Sequence, residues 1–202
     1  MIKEFNVLIT GVGGQGVILM SELLGKAAVK DDLNVRGSEV LGMAVRGGSV
    51  VSTIRIGSEV YGPLIPTGKC NLLIGMEPAE ALRNIACLSP SSLVILNLSK
   101  IVPFTVLQGS SKYPSLDEIL KKLNKITRQV IKLDAAQLAE EAGSPITANI
   151  VMLGAAFGSG QMPVKTETIK ALIQSHFPTK LAPINIKVFD LGYKACQQAV
   201  NK

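Results

Sequence analysis

Three spaced glycines, Gly11, Gly13 and Gly16, of the four in the run Gly11-Val-Gly-Gly-Gln-Gly16, offer the most evident chemistry in this sequence. An apolar run, Phe5–Thr10, stops in them, and apolar residues at helical spacing follow: Val17, Met20, Leu24 and Ala27. The pattern predicts a buried strand, a tight turn and the start of a helix. Such a turn aims unpaired backbone N–H groups and the positive end of the helix dipole at one point, where an anion would sit. The spacing also meets the G-x-G-x-x-G dinucleotide pattern, which asks for an acidic residue about 20 positions further on. Glu39, 23 positions past Gly16, fills that place nominally. On the residues alone three occupants stay open. They are a nicotinamide or flavin dinucleotide, the phosphates of a nucleotide-containing ligand such as coenzyme A, or only a neighbouring backbone packed on the turn.

Arg46-Gly47-Gly48-Ser49 forms a second candidate. A guanidinium fork beside exposed glycine amides and a hydroxyl can clamp a phosphate or carboxylate. The same four residues also suit a plain turn with Arg46 in solvent, and the residues leave the two readings even. Little else is equipped for chemistry. The lone histidine, His176, falls at a predicted helix C-terminus, where a cation is favoured by the dipole. Ser-His-Asp and Cys-His machinery is therefore missing. Cys70, Cys87 and Cys196 are widely spaced and form no C-x-x-C pair, so no cluster or zinc site is expected on this chain. They read as buried thiols in a reducing compartment. Asp134 and Glu77 read as helix caps, and the methionines as packing. No catalytic residue and no metal ligand is assigned.

The elements that must position these loops follow from periodicity and punctuation. Leu33–Val40 reads as a second short strand or extended segment and Ser49–Ile56 as a further strand. Gly57-Ser58 is a two-residue turn signal, with Glu59–Tyr61 as the returning strand of a hairpin, so the sheet is expected to be mixed. Leu72–Gly75, Leu93–Leu96 and Val130–Leu133 read as buried strands. Helices are expected at about 15–30, after Glu77-Pro78, from the Ser115–Glu118 capping box, and over 135–142, 146–157, 167–177 and 184–200. The uncharged stretch Ile101–Ser111 reads as an irregular loop or an edge strand.

Hydrophobic residues make up 47% of the 202 residues and charged ones 18%, which excludes a disordered chain and fits one α/β domain over 1–202. The apolar share also predicts surface covered by another chain. Net charge is +6, but the basic residues are scattered without aromatic interleaving, which argues against nucleic acid. The first apolar run is short, follows Glu4 and is cut by glycines, so no secretory leader is expected. Ala142–Val164, the longest uncharged stretch, holds Pro145, Asn149 and four glycines and reads as a buried helix with its exit loop. A cytoplasmic protein without membrane attachment is expected.

The motifs become specific in combination. Gly11–Gly16 is followed by Ser38-Glu-Val-Leu-Gly-Met-Ala-Val-Arg-Gly-Gly-Ser-Val50, Ile54-Arg-Ile-Gly57, Pro63-Leu-Ile-Pro66, Glu77-Pro-Ala-Glu-Ala-Leu-Arg83, Lys112-Tyr-Pro-Ser-Leu116 and Phe189-Asp-Leu-Gly-Tyr193. Together they resemble the gamma-domain family of the 2-oxoacid:ferredoxin oxidoreductases, over nearly the whole chain. Pyruvate and 2-oxoglutarate members more typically carry Tyr-Gly-Pro-Glu before the Arg-Gly-Gly. Val40-Leu-Gly-Met-Ala44 stands there instead, which favours the small (beta) subunit branch of the indolepyruvate:ferredoxin oxidoreductases. The resemblance implies a three-layer α/β/α fold with a mixed, mostly parallel sheet, like the third domain of pyruvate:ferredoxin oxidoreductase. It implies a cytoplasmic hetero-oligomer in which thiamine diphosphate, magnesium and [4Fe–4S] clusters reside in a large alpha subunit. That complex would convert aryl-pyruvates to aryl-acetyl-CoA and pass electrons to ferredoxin. This chain would bind none of those cofactors by itself, and would close the active-site cavity and help hold coenzyme A. The residues so implied are Gly11, Gly13, Gly14, Gln15, Gly16, Glu39, Met43, Arg46, Gly47 and Gly48. The rival expectations are a gamma subunit acting on pyruvate or 2-oxoglutarate, a stand-alone NAD-dependent oxidoreductase, and a structural partner with an empty turn.

Overall fold

Alternation along the central strands decides the layering. In β1 (Phe5–Val12), Val7 and Ile9 point into one core and Leu8 into another, so both faces of the strand are covered. A computed structural model describes residues 2–200. After β1 come α1 (Val17–Lys30), β2 (Val35–Leu41), β3 (Ser49–Ile56), β4 (Leu72–Gly75), α2 (Pro78–Arg83) and β5 (Leu93–Asn97). The chain continues through α3 (Phe104–Leu107), α4 (Leu116–Asn124), β6 (Gln129–Leu133), α5 (Ala135–Glu141), α6 (Ala148–Gly158), α7 (Thr166–His176) and α8 (Ala182–Val200).

Among the described residues one six-stranded sheet runs β2-β3-β1-β4-β5-β6. β1, β4, β5 and β6 are parallel, whereas β3 runs antiparallel to both β1 and β2. Helices α1, α5, α6, α7 and α8 pack on one face, and α2 and α4 on the other, giving three layers. Helix α6 is buried all round from Asn149 to Gly158, as its unbroken apolar sequence requires. It crosses α8 at glycines: a Cβ on Gly154 would strike the Phe189 carbonyl, and one on Gly192 the Val151 carbonyl. Local signals hold at several helix starts. Ser115 and Glu118 form the expected capping box, and Asp134 accepts from the Gln137 amide at 3.0 Å. Glu77 accepts from the Glu80 amide at 3.0 Å with Pro78 at the first helical position. No helix among the described residues is long and apolar enough to cross a membrane.

One expectation needs correction, and a second resolves to one of its two alternatives. Glu59–Tyr61 is not a strand, and Gly57-Ser58 does not turn a hairpin. β3 already has β1 and β2 on its two sides, so a returning strand would find no edge to pair with. The amides of Ser58 and Glu59 donate instead to Ile2 and Lys3 ahead of β1, at 3.0 Å each. The buried Arg55 holds the onward chain by donating to the carbonyls of Gly62 and Leu64. The sheet is mixed because β3 runs antiparallel to both β1 and β2, with residues 42–48 joining β2 to β3. The stretch 101–111 contains no strand: it is a loop with one turn of helix, α3.

Candidate functional site

All four parallel strands end on one side of the sheet, and the β2–β3 loop lies on that side because Leu41 and Gly11 both pair with Val50. There the chain turns from β1 into α1. Gly16, the helix cap, takes the left-handed conformation (φ 75°), and the Asn149 side chain fills the space a Cβ would need. No side chain caps α1, and its first intrahelical bond runs from the Met20 amide to the Gly16 carbonyl. The amides of Val17, Ile18 and Leu19 therefore stay free, and those of Gly14 and Gly16 have no acceptor among the described residues.

The two glycine motifs come together. The Gly13 amide donates to the Gly48 carbonyl at 2.8 Å, and the Gly47 amide to the Gly13 carbonyl at 3.1 Å. Contact is so close that a Cβ on Gly13 would strike the Val45 carbonyl. The exposed Arg46 side chain borders Gly14, its Nε 4.0 Å from the place of a Cβ there. Met43 and Val45 project fully into solvent from the same loop. Gln15 faces inward: its Oε1 accepts from the Val12 amide at 2.9 Å and its Nε2 donates to the Met76 carbonyl at 3.0 Å. Gln15, Met76 and Val17 crowd Gly11. Glu39 stands apart, on the edge strand β2 and level with Ser52, where its carboxylate accepts from the Ser21 hydroxyl at 3.2 Å. A dinucleotide fold would set the second strand beside β1, but here β3 intervenes.

Three features of this face have no counterpart in the motif reading. Asn97, at the end of β5, donates to the same Met76 carbonyl at 3.0 Å and accepts from the Ala135 amide at 3.1 Å. It thus ties three strand ends and the start of α5 together. Second, Glu77 receives the Tyr113 hydroxyl and the Ile101 amide, which pins the 98–113 segment. Burial and the neighbouring Glu77 carboxylate push the Tyr113 phenol well above its ordinary range. One helix turn on, the buried Glu80 accepts from Ser49 at 2.6 Å and so fixes the exit of the 42–48 loop. Third, Asn149, buried at the head of α6, sets its side-chain amide against Gly16. The legible signal for it was a polar residue opening an otherwise apolar helix.

Two hollows flank the glycine turn. One, of about 490 Å³, is apolar and lies between α1 and the 42–48 loop, with Val17, Ile18, Leu41 and Val45 in its wall. The other, of about 200 Å³, is polar and lies between the turn, the end of β5 and the head of α6. Around them, Ile18, Leu41, Met43, Val45 and Ile146 present apolar side chains to solvent. Among the described residues no group of three or more His, Cys, Asp or Glu side chains could hold a metal ion. His176 is exposed at the C-terminus of α7, and Cys70 and Cys196 are buried thiols.

Amides gathered in a turn and apolar side chains exposed around it define this face of an α/β domain. The chain belongs to the pyruvate ferredoxin/flavodoxin oxidoreductase family, whose model matches residues 6–195. It is 44% identical over 190 residues to the indolepyruvate oxidoreductase subunit IorB of Archaeoglobus fulgidus, covering 94% of each chain. To the subunit of the same name from Pyrococcus horikoshii it is 42% identical, over 99% of this chain and all of the relative. Its fold matches the crystal structure of a keto/oxoacid ferredoxin oxidoreductase gamma subunit from Geobacter sulfurreducens with a TM-score of 0.68. That match has 23% identity and covers 96% of this chain and 99% of the other.

Proposed function

We propose that this chain is the small subunit of an indolepyruvate:ferredoxin oxidoreductase, which oxidatively decarboxylates aryl-pyruvates to aryl-acetyl-CoA and reduces ferredoxin. The observation that carries the reading is the apolar rim around an amide-rich turn on a chain of this family. Such a face suits a lid on a larger subunit that holds thiamine diphosphate, magnesium and [4Fe–4S] clusters. Excluding water over the site would protect a reactive carbanion from stray protons. Near-full-length identity above 40% to two indolepyruvate oxidoreductase subunits supports the aryl-pyruvate branch.

Coenzyme A is the ligand proposed for the turn. Gly13 and Gly48 would set the shape of its seat, Gly14 and Gly16 would offer free amides, and Gln15 would brace the turn from within. Arg46 would face the ligand's negative charge from the loop. The test is co-purification with the large subunit and assay of the complex. Indolepyruvate- and coenzyme A-dependent reduction of ferredoxin, lost when this chain is left out, is the expected result. A complex that turns over pyruvate in preference to aryl-pyruvates, or that works equally well without this chain, would overturn the reading.

A further inference from the structure

Strand β2 forms one edge of the sheet, with β3 alone beside it. In that register the Gly57 amide donates to the Asn34 carbonyl and the Gly42 amide to the Ser49 carbonyl, so even-numbered residues bond to β3. The N–H and C=O groups of Gly37, Glu39 and Leu41 therefore point outward, where nothing among the described residues pairs with them. Arg36 covers only the Val35 carbonyl, at 2.9 Å. Exposed edges are ordinarily blunted by shortness, a lysine, a proline or a bulge. β6, at the opposite edge, has five residues and Lys132. β2 has seven, in unbroken register with β3, without lysine or proline. Beside it lies an apolar hollow of about 410 Å³ between α1 and α7, lined by Gly25, Lys26, Val29, Lys30, Val35 and Leu172. Gly25 sits inside α1, where glycine is less stable than alanine, yet a Cβ there would meet nothing within 4 Å. Packing within the chain does not call for it, and its missing side chain opens the hollow. Odd-numbered β2 side chains share this face: Val35 lines the hollow, and Glu39 reaches Ser21 on α1.

We infer that the β2 edge receives an extended segment of the large subunit as an added strand, with an apolar side chain in the hollow and an acidic residue beside it. Backbone pairing supplies the affinity of such an addition, and the pocket for alternate side chains its specificity. The acidic residue follows from charge. Two lysines and no carboxylate line the hollow, and Lys30 and Arg36 make no ion pair among the described residues. A second copy of this chain fits poorly. Both strands must turn their free groups toward each other, so an antiparallel self-pair centres on one residue. Centred on Gly37, it sets Arg36 diagonally beside its own copy, and centred on Ser38 it does the same to Glu39. Centred on Glu39, it makes two carboxylates face. Strand β2 also runs straight into the 42–48 loop, whose exposed Met43 and Val45 belong to the rim turned toward the large subunit. The inference rests on the proposed function for the identity of that partner.

The test is residue-resolved hydrogen exchange on the full-length chain, alone and in the complex co-purified with the large subunit. Exchange at the amides of Gly37, Glu39 and Leu41 should slow at least 10-fold in the complex, while Arg36, Ser38 and Val40, already bonded to β3, change little. Glu39→Pro removes an outward N–H and leaves the β3 ladder intact, so it should weaken the affinity of the two subunits at least 10-fold. Glu39→Ala keeps that N–H and should leave the affinity near wild type. Gly25→Leu fills the hollow and should weaken it several-fold. If Glu39→Pro does not fold, Gly25→Leu and the exchange map still decide the matter. Unprotected outward amides in an assembled complex, or unchanged affinity in both Glu39→Pro and Gly25→Leu, would overturn the inference and leave the proposed function standing. Concentration-dependent protection of β2 in the chain alone would mark a second copy as the occupant and overturn it equally. Failure to form any complex would overturn both readings.

Discussion

The backbone N–H of Gly13 donates to the carbonyl of Gly48 at 2.8 Å, which ties the turn after β1 to the loop before β3. Their approach leaves no room for a methyl group on Gly13, because the Val45 carbonyl occupies that place. Gly13→Ala must push the two loops apart. Overpacking of this kind costs about 1–3 kcal/mol. Urea denaturation should show a lower midpoint with an unchanged slope.

The ends of β1, β4 and β5 are tied through one acceptor, the Met76 carbonyl, which receives both Gln15 and Asn97. Asn97→Ala removes one of those donors and also leaves the Ala135 amide unpaired at the buried start of α5. An orphaned buried donor costs roughly 1–3 kcal/mol. The same urea experiment should register that loss. An unchanged midpoint would mean that water replaces the asparagine.

Tyr113 sets an alkaline limit. Its phenol is raised in the folded protein by burial first and by the Glu77 carboxylate second. The folded state therefore holds this proton more tightly than the unfolded state does. The resulting stability is fully present below the unfolded value near 10 and is lost as pH rises from there through the folded value. In a spectrophotometric titration at 295 nm, one tyrosine should ionise late and together with unfolding. Tyr113→Phe should remove that component, and a titration curve unchanged by the substitution would refute the assignment.

Helix α7 owes its cap to a distant residue. Asp31, 134 positions before Lys165, accepts from the Lys165 amide at 2.7 Å and from the Thr168 hydroxyl at 2.6 Å. Asp31→Ala should cost about 0.5–2 kcal/mol, as loss of a local cap does. The loss should appear in hydrogen exchange as reduced protection at the start of α7.

What could be read in advance divides along the same line as these contacts. Elements specified by their own residues were legible: the alternating strands, the Ser115–Glu118 box, and Pro78 after a capping Glu77. Features set by distant partners were not. Gly57-Ser58 has the chemistry of a hairpin turn, yet β3 is already flanked on both sides. Glu39 has the spacing of a ribose-binding acid, yet strand order sets it on the sheet edge against Ser21. The glycine turn itself was evident. That its Gly13 amide donates to the Gly48 carbonyl, and the Gly47 amide to the Gly13 carbonyl, depends on tertiary contacts that no local spacing encodes.

Val45 and Arg46 are adjacent and both exposed, so together they separate docking from ligand binding. Neither supports the fold, and substitution of either should change stability by no more than about 0.5 kcal/mol. Val45→Asp sets a carboxylate into an apolar rim that a partner would have to desolvate, so co-purification with the large subunit should fail. Arg46→Ala keeps the rim apolar and removes only a charge beside Gly14. The complex should then assemble with its kcat near wild type but with KM for coenzyme A raised several-fold, because an interaction common to ground and transition states has been lost. If Arg46→Ala leaves both assembly and that KM untouched, the arginine has no part in the site. If Val45→Asp assembles normally, the interface lies elsewhere on the molecule.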